Sequence, residues 1–207
     1  MRGVVEFLWW LVRSGFAVEL RRAVIHGNQT GRYPLEMRLT KRGVRLLGDR
    51  DDNPMLPGFL DRIRARCPGL PDGVIALLVD ARTCFEHSLM RPAVVLMGVA
   101  YELAIEQVVE VLATKNLVTS NTASQKAGER IKRVKALLST PQVNTILQDS
   151  DDRAAAMAAY DFADHLRQRR NEAAHTTPIF DFDHSEETEE FLVSAGRHLP
   201  ALWSLAV

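Results

Sequence analysis

The chain has 207 residues, of which 46% are apolar and 25% charged, the balance of an ordinary soluble globular protein with one or two small domains. Its 26 basic and 26 acidic side chains cancel. No global positive field therefore attracts nucleic acid, and binding of that kind needs a local basic cluster. The two cysteines, Cys67 and Cys84, form no metal-binding pattern, so buried thiols in a reducing, cytoplasmic compartment are the expectation.

The N-terminal twenty residues are apolar but are interrupted by Glu6, Arg13 and Glu19. The run is too short and too charged to span a bilayer, and it lacks the small-residue cleavage site of a signal peptide. Apolar residues recur at helical spacing over 4–25, which predicts an amphipathic helix that Gly15 can divide in two.

Turn-forming residues fill 26–34, and alternation of apolar and charged residues over 35–39 predicts a short strand. Thr40 is a suitable N-cap for a short helix in the segment "LTKRGVRLL". Residues 1–50 therefore resemble the last part of a winged-helix module. The alternative is a helical hairpin that packs on the main domain. The winged-helix interpretation implies a phosphate-binding or RNA-binding cluster of basic residues: Arg38, Lys41, Arg42 and Arg45.

Residues 51–72 read as a linker that contains one short helix. Its first part is acidic and rich in proline, an amphipathic stretch with apolar residues at 59, 60 and 63 follows, and "CPGLPDG" breaks the chain again. The boundary between the two domains is therefore predicted within this linker.

Residues 73–207 predict an all-α bundle of four main helices with short extra helices. Helices are expected over about 72–87, 91–115, 124–138 and 152–170, and a last helix follows a capping-box-like start at 183–186. The helix over 91–115 is expected to be central, because its apolar face is broad. That face contains Val95, Leu96, Val99, Leu103, Ile105, Val108, Val109 and Leu112. No strand signal appears after residue 40.

The segment "RRNEAAH", residues 169–175, combines a pair of arginines, an amide and an imidazole near the expected end of a helix. Arg170 and His175 would point about 140° apart on an intact helix. Proline at 178 disfavours helix at Thr177, so a loosened last turn is expected to bring the two side chains to one side.

The spacing Arg-x4-His is weak evidence alone, since Arg21 with His26 and Arg82 with His87 share it. A structural interpretation therefore stays open: the arginines complement the negative end of the helix dipole, and the histidine caps its carbonyls. A metal site is not favoured. Glu172 and His175 have the Glu-x-x-His spacing of di-metal bundles, but a second copy is missing.

The helix "RPAVVLMGVAYELAIEQVVEVL" followed about 70 residues later by "RRNEAAH" resembles the HEPN superfamily. The "GVAYE" pattern, residues 98–102, adds to the likeness, which covers about residues 73–205. The signature of these helical bundles is an arginine, a polar residue, a few further residues and a histidine.

The resemblance implies a metal-independent endoribonuclease that needs no cofactor and acts as a homodimer in a toxin or phage-defence role. It implies Arg170 and His175 as the catalytic pair, Asn171 as the accompanying polar residue, and Arg169 as an additional phosphate ligand. A partner protein encoded in the same operon is also an expectation. Toxins paired with a nucleotidyltransferase antitoxin have tyrosine where this chain has Thr177. The alternative is a non-catalytic module that binds RNA or nucleotides or serves as a regulatory scaffold.

Overall fold

The computed structural model describes residues 58–147, 149–175 and 185–207, and two strands, 17–21 and 36–39. Side chains are described from 58 to 175, apart from 148, and from 187 onward. The chain divides into two compact units, Met1–Asp51 and Asp52–Val207.

The first unit contains strands β1 (Ala17–Arg21) and β2 (Glu36–Leu39), which pair antiparallel with an irregularity after Glu19. The strand predicted over 35–39 is confirmed. The helix predicted over 4–25 is wrong at β1, because alternate apolar residues at 16, 18 and 20 also suit a strand, and pairing with β2 selects it. The rest of that prediction, and the helix after Thr40, fall outside the described residues.

The second unit is helical throughout its described part, which confirms the all-α prediction for the main domain. Its helices are α1 (Phe59–Arg66), α2 (Asp72–Glu86), α3 (Met90–Thr114), α4 (Ala127–Leu138), α5 (Ser150–Ala174) and α6 (Ser185–Trp203). Short 3-10 helices occur at Ser120–Thr122, Pro141–Thr145 and Ser204–Ala206. Pro71 is the N-cap of α2, and Asp72 lies in its first turn.

Helix α3 is the centre of the bundle and packs against α2, α4, α5 and α6. The predicted buried face is confirmed in the second half of α3, at Ile105, Val108, Val109 and Leu112. It is wrong in the first half, where Val99 is 37% exposed and Val95, Leu96 and Leu103 are only half-buried. Several of the buried positions of α3 are alanine or glycine, because neighbouring helices pack against α3 on several sides. The buried residues of α3 are Ala93, Val94, Met97, Gly98, Ala100, Tyr101, Ala104, Ile105, Val108, Val109 and Leu112.

Two buried tyrosines allow one hydrogen bond in this core to be tested. The Tyr101 hydroxyl donates to the carbonyl of Ala195 at 2.6 Å and so links α3 to α6. The Tyr160 hydroxyl is equally buried but has no hydrogen-bond partner among the described residues. Burial raises the pKa of both phenols.

We expect Tyr101→Phe to lower the free energy of unfolding by about 1 kcal/mol, because it removes a made hydrogen bond. Tyr160→Phe is the matched control and should leave stability unchanged or raise it by up to about 1 kcal/mol, because it removes a buried hydroxyl without a partner. Chemical denaturation of both variants measures the difference. A loss in Tyr160→Phe as large as that in Tyr101→Phe would contradict this account.

Candidate functional site

The "RRNEAAH" segment forms the C-terminal end of α5. This helix begins after Asp149, whose carboxylate accepts a hydrogen bond from the Asp151 N–H at 2.9 Å. It then continues regularly to Ala174, past the predicted end at residue 170. The expected loosening of the last turn is wrong, because Glu172, Ala173 and Ala174 are good helix formers, and the intact helix does not bring Arg170 and His175 to one side.

His175 is the C-cap of α5, and its backbone N–H donates to the carbonyl of Asn171 at 3.0 Å. Its backbone is already extended (φ −92°, ψ 119°), so the chain leaves the helix at this residue. His175 is exposed and Asn171 is half-buried. The imidazole is therefore accessible to a ligand that approaches the end of the helix.

Arg170 lies against the central helix. Its guanidinium Nη2 donates to the Glu102 carboxylate of α3, and both side chains are about a quarter exposed. The aliphatic part of Arg170 covers Gly98, where a Cβ atom would come within 2.6 Å of the arginine Cβ. Gly98 and Glu102 are the first and last residues of "GVAYE", so this pattern lies directly against the motif.

Arg169 points to a different neighbour. Its Nη1 donates to Glu172, one turn further along α5, at 3.1 Å, and its Nη2 donates to Glu187 of α6. The two consecutive arginines thus connect α5 to α6 and to α3. Three carboxylates surround the two guanidinium groups, so the site is not a basic patch before a ligand arrives.

The sequence alone missed the carboxylate partners. Glu102 belongs to the "GVAYE" pattern, but its contact with Arg170 spans 68 positions and no local spacing indicates it. Glu187 lies in an acidic stretch that looks like a solvated helix start. A weak signal existed for Glu172, since arginine and glutamate three positions apart are neighbours on a helix surface.

The other predicted functional residues are not brought into this site by the described structure. Arg38 lies on β2, of which only the backbone is described, and Lys41, Arg42 and Arg45 fall outside the described residues. Cys67 is buried, and its burial raises the pKa of the thiol to about 12, whereas Cys84 is half-buried.

The described residues contain neither a cluster of metal-ligating side chains nor a helix that could span a membrane. No three side chains among histidine, cysteine, aspartate and glutamate come together there in a way that could hold a metal ion. Within the same residues, no helix is long and apolar enough to cross a membrane.

Comparison with known proteins adds no relative. No family model matches the chain, and neither the curated proteins nor the solved structures contain a significant match.

Proposed function

We propose that the protein is a metal-independent endoribonuclease of the HEPN type, which acts as a homodimer in a toxin or defence role. The main support is the end of α5, where Arg170 and Asn171 precede an exposed His175 and Arg170 is anchored to the central helix. This geometry gives the motif a fixed arginine and an accessible imidazole. Because α5 is helical through Ala174, the two side chains point about 140° apart, so one chain alone does not bring them together on one phosphate.

In the proposed reaction the RNA 2′-hydroxyl attacks the adjacent phosphorus. An imidazole of His175 accepts the hydroxyl proton, the bond from phosphorus to the 5′-oxygen breaks, and that oxygen takes a proton from an imidazolium. The products are a 2′,3′-cyclic phosphate and a 5′-hydroxyl. A guanidinium stabilises the charge that accumulates on the phosphoryl oxygens, because it offers two N–H donors in one plane.

Glu102 positions Arg170 in this proposal. Its carboxylate holds one edge of the guanidinium on α3, and Gly98 leaves room for the aliphatic part of the arginine. The ion pair between Arg170 and Glu102 also weakens phosphate binding in the resting protein, since a phosphate must compete with Glu102 for the guanidinium.

The number of histidines that the reaction needs supports the proposed homodimer. One chain supplies one histidine at the motif, whereas the reaction needs a base and an acid at the same time. Two copies of α5 with their C-terminal ends facing each other would provide both, and they would place a second arginine near the scissile phosphate.

The test is cleavage of a labelled total-RNA or tRNA pool in EDTA by the wild type and by His175→Ala. We expect the wild type to cleave the RNA and leave cyclic-phosphate ends, and the variant to be inactive. Cleavage that requires added metal, or that proceeds at the wild-type rate in His175→Ala, would contradict the proposal.

A second candidate, a non-catalytic module that binds RNA, is favoured by one observation: Glu102, Glu172 and Glu187 already occupy Arg169 and Arg170. In that case the N-terminal basic residues would provide the affinity. We then expect RNA binding that weakens with salt and in Arg42→Ala with Arg45→Ala, and no cleavage. Binding that is indifferent to both salt and these substitutions would exclude this candidate.

A further inference from the structure

A cleft of about 660 Å³ lies between the end of α3 and the end of α4. One wall comes from the last turn of α3 and the loop that follows it, and the other comes from the second half of α4 and the 3-10 turn after it. This volume lies inside the range of about 300–1,000 Å³ that is usual for small-molecule sites. The cleft is therefore large enough for a small metabolite.

Arg133 is the one charged residue in the described lining of this cleft, so no acidic residue accompanies it there. It differs in this respect from the other basic residues of α4. Each of those is paired with a carboxylate: Arg130 with Glu106, Lys132 with Glu129 and Lys135 with Asp161. Arg133 makes no hydrogen bond or ion pair with the residues that the structure describes. Its guanidinium is therefore available to an anion, which it can bind through two parallel N–H donors.

The rest of the polar lining is uncharged. Asn116, Ser120 and Gln142 supply two amides and a hydroxyl, and these three side chains make no hydrogen bonds within the described ranges. Amides and hydroxyls both donate and accept hydrogen bonds, so they suit the alcohol groups of a ligand. Leu117 and Leu137 add apolar surface, but the described lining contains no aromatic ring on which a nucleic-acid base could stack.

Backbone hydrogen bonds fix the α3 wall of the cleft. Asn116 has a left-handed conformation (φ 57°), its N–H donates to the Ala113 carbonyl at 3.0 Å, and the N–H of Leu117 donates to the Leu112 carbonyl at 2.9 Å. This pair of bonds is the Schellman motif, a common way for a helix to end. The backbone of Asn116 is thus held at a fixed place, as expected for a small-molecule site that is largely formed before its ligand binds.

We infer that this cleft binds a sugar phosphate, with the phosphate on Arg133 and the sugar hydroxyl groups on the amides and the serine. A phosphate fits the charge of the lining, because a cation without an acidic neighbour compensates one anionic group. A free sugar would leave the guanidinium unused, and a nucleotide would find no stacking surface for its base.

The cleft is separate from the motif at the end of α5. Glu102, which holds Arg170, and Ala113, which lines the cleft, lie about three helical turns, or about 16 Å, apart on α3. The inference therefore goes beyond the proposed ribonuclease function and does not depend on it, so either can fail without the other.

The test is calorimetric titration of the full chain with glucose 6-phosphate, ribose 5-phosphate, glucose and 5′-AMP. At least one sugar phosphate should bind at least about tenfold more tightly than glucose, because hydrogen bonds to a charged group are the strong ones. 5′-AMP should bind no more tightly than that sugar phosphate, because its base gains no stacking contact.

Variants of two lining residues test the assigned roles. Arg133→Ala should weaken binding of the sugar phosphate at least about tenfold. Arg133→Lys should lose less, because it keeps the charge and loses only the two parallel donors. Asn116→Gly tolerates the left-handed backbone and removes the amide, so it should weaken binding about threefold to tenfold.

The matched control is Arg64→Ala, which removes the same charge at an exposed position of α1 outside the described lining. It should bind the sugar phosphate as the wild type does. No binding of either sugar phosphate, equal binding of glucose, or unchanged affinity in Arg133→Ala would each overturn the inference. Tighter binding of 5′-AMP or of gluconate would also overturn it and would identify a site for a nucleotide or for a sugar acid.

Discussion

His175→Ala is expected to lower the rate of RNA cleavage by about 10²–10⁴-fold, the usual contribution of a general acid or base. The free energy of unfolding should change by less than about 0.5 kcal/mol, because the side chain is exposed at the end of α5. Single-turnover cleavage of a labelled RNA, together with a denaturation curve, measures both quantities.

The chain contains a matched control for this substitution. His87 is also the exposed C-cap of a helix, and Arg82 precedes it by the same five positions. His87→Ala therefore repeats the local change without the motif and should cleave RNA at the wild-type rate. Equal losses in the two variants, or a large loss of stability in His175→Ala, would show that the effect is not catalytic.

Gly98→Ala is expected to lower the free energy of unfolding by about 1–3 kcal/mol, the usual cost of overpacking a core. The new Cβ atom would lie 2.6 Å from the Cβ atom and 2.7 Å from the Cγ atom of Arg170. The Cβ atom of Arg170 is fixed by the backbone of α5, so a change of rotamer does not relieve the 2.6 Å contact and the helices must separate. Chemical denaturation measures the loss, and in an active protein the displaced Arg170 should also slow RNA cleavage.

Gly128→Ala is the corresponding control on α4. Its new Cβ atom would come no closer than 3.4 Å to the end of the Arg167 side chain, which can move away. Alanine has the higher helix propensity, so this variant should be as stable as the wild type or more stable by up to about 1 kcal/mol. A Gly98→Ala variant as stable as Gly128→Ala would exclude close packing of Arg170 on α3.

The larger part of the helical domain follows from local sequence patterns. Pro92 fits the first turn of α3, which begins two residues before it, and the apolar positions Ile131, Val134 and Leu138 predict the buried side of α4. Asp149, one of a group of aspartates that resembles helix-cap chemistry, is the N-cap of α5. These features depend on residues within a few positions of one another, which is why a single sequence is sufficient to find them.

The wrong predictions concern β1, the buried face of α3 and the end of α5. The alternating residues of β1 suit a strand only because β2 pairs with it, and Val99 is exposed only because the neighbours of α3 cover other sides of that helix. The predicted end of α5 at residue 170 is too early: the composition of the motif resembles a helix terminus, whereas Glu172, Ala173 and Ala174 are good helix formers that continue the helix.

In the candidate site, too, some features are evident from the sequence and others only from the tertiary structure. The sequence by itself identifies Arg170, Asn171 and His175, the position of their segment near the end of a helix, and the "GVAYE" pattern. Only the tertiary structure places Glu102 against Arg170 and Glu187 against Arg169. These contacts join helices that are far apart in the chain, and their geometry depends on how the whole bundle packs, which local periodicity does not encode.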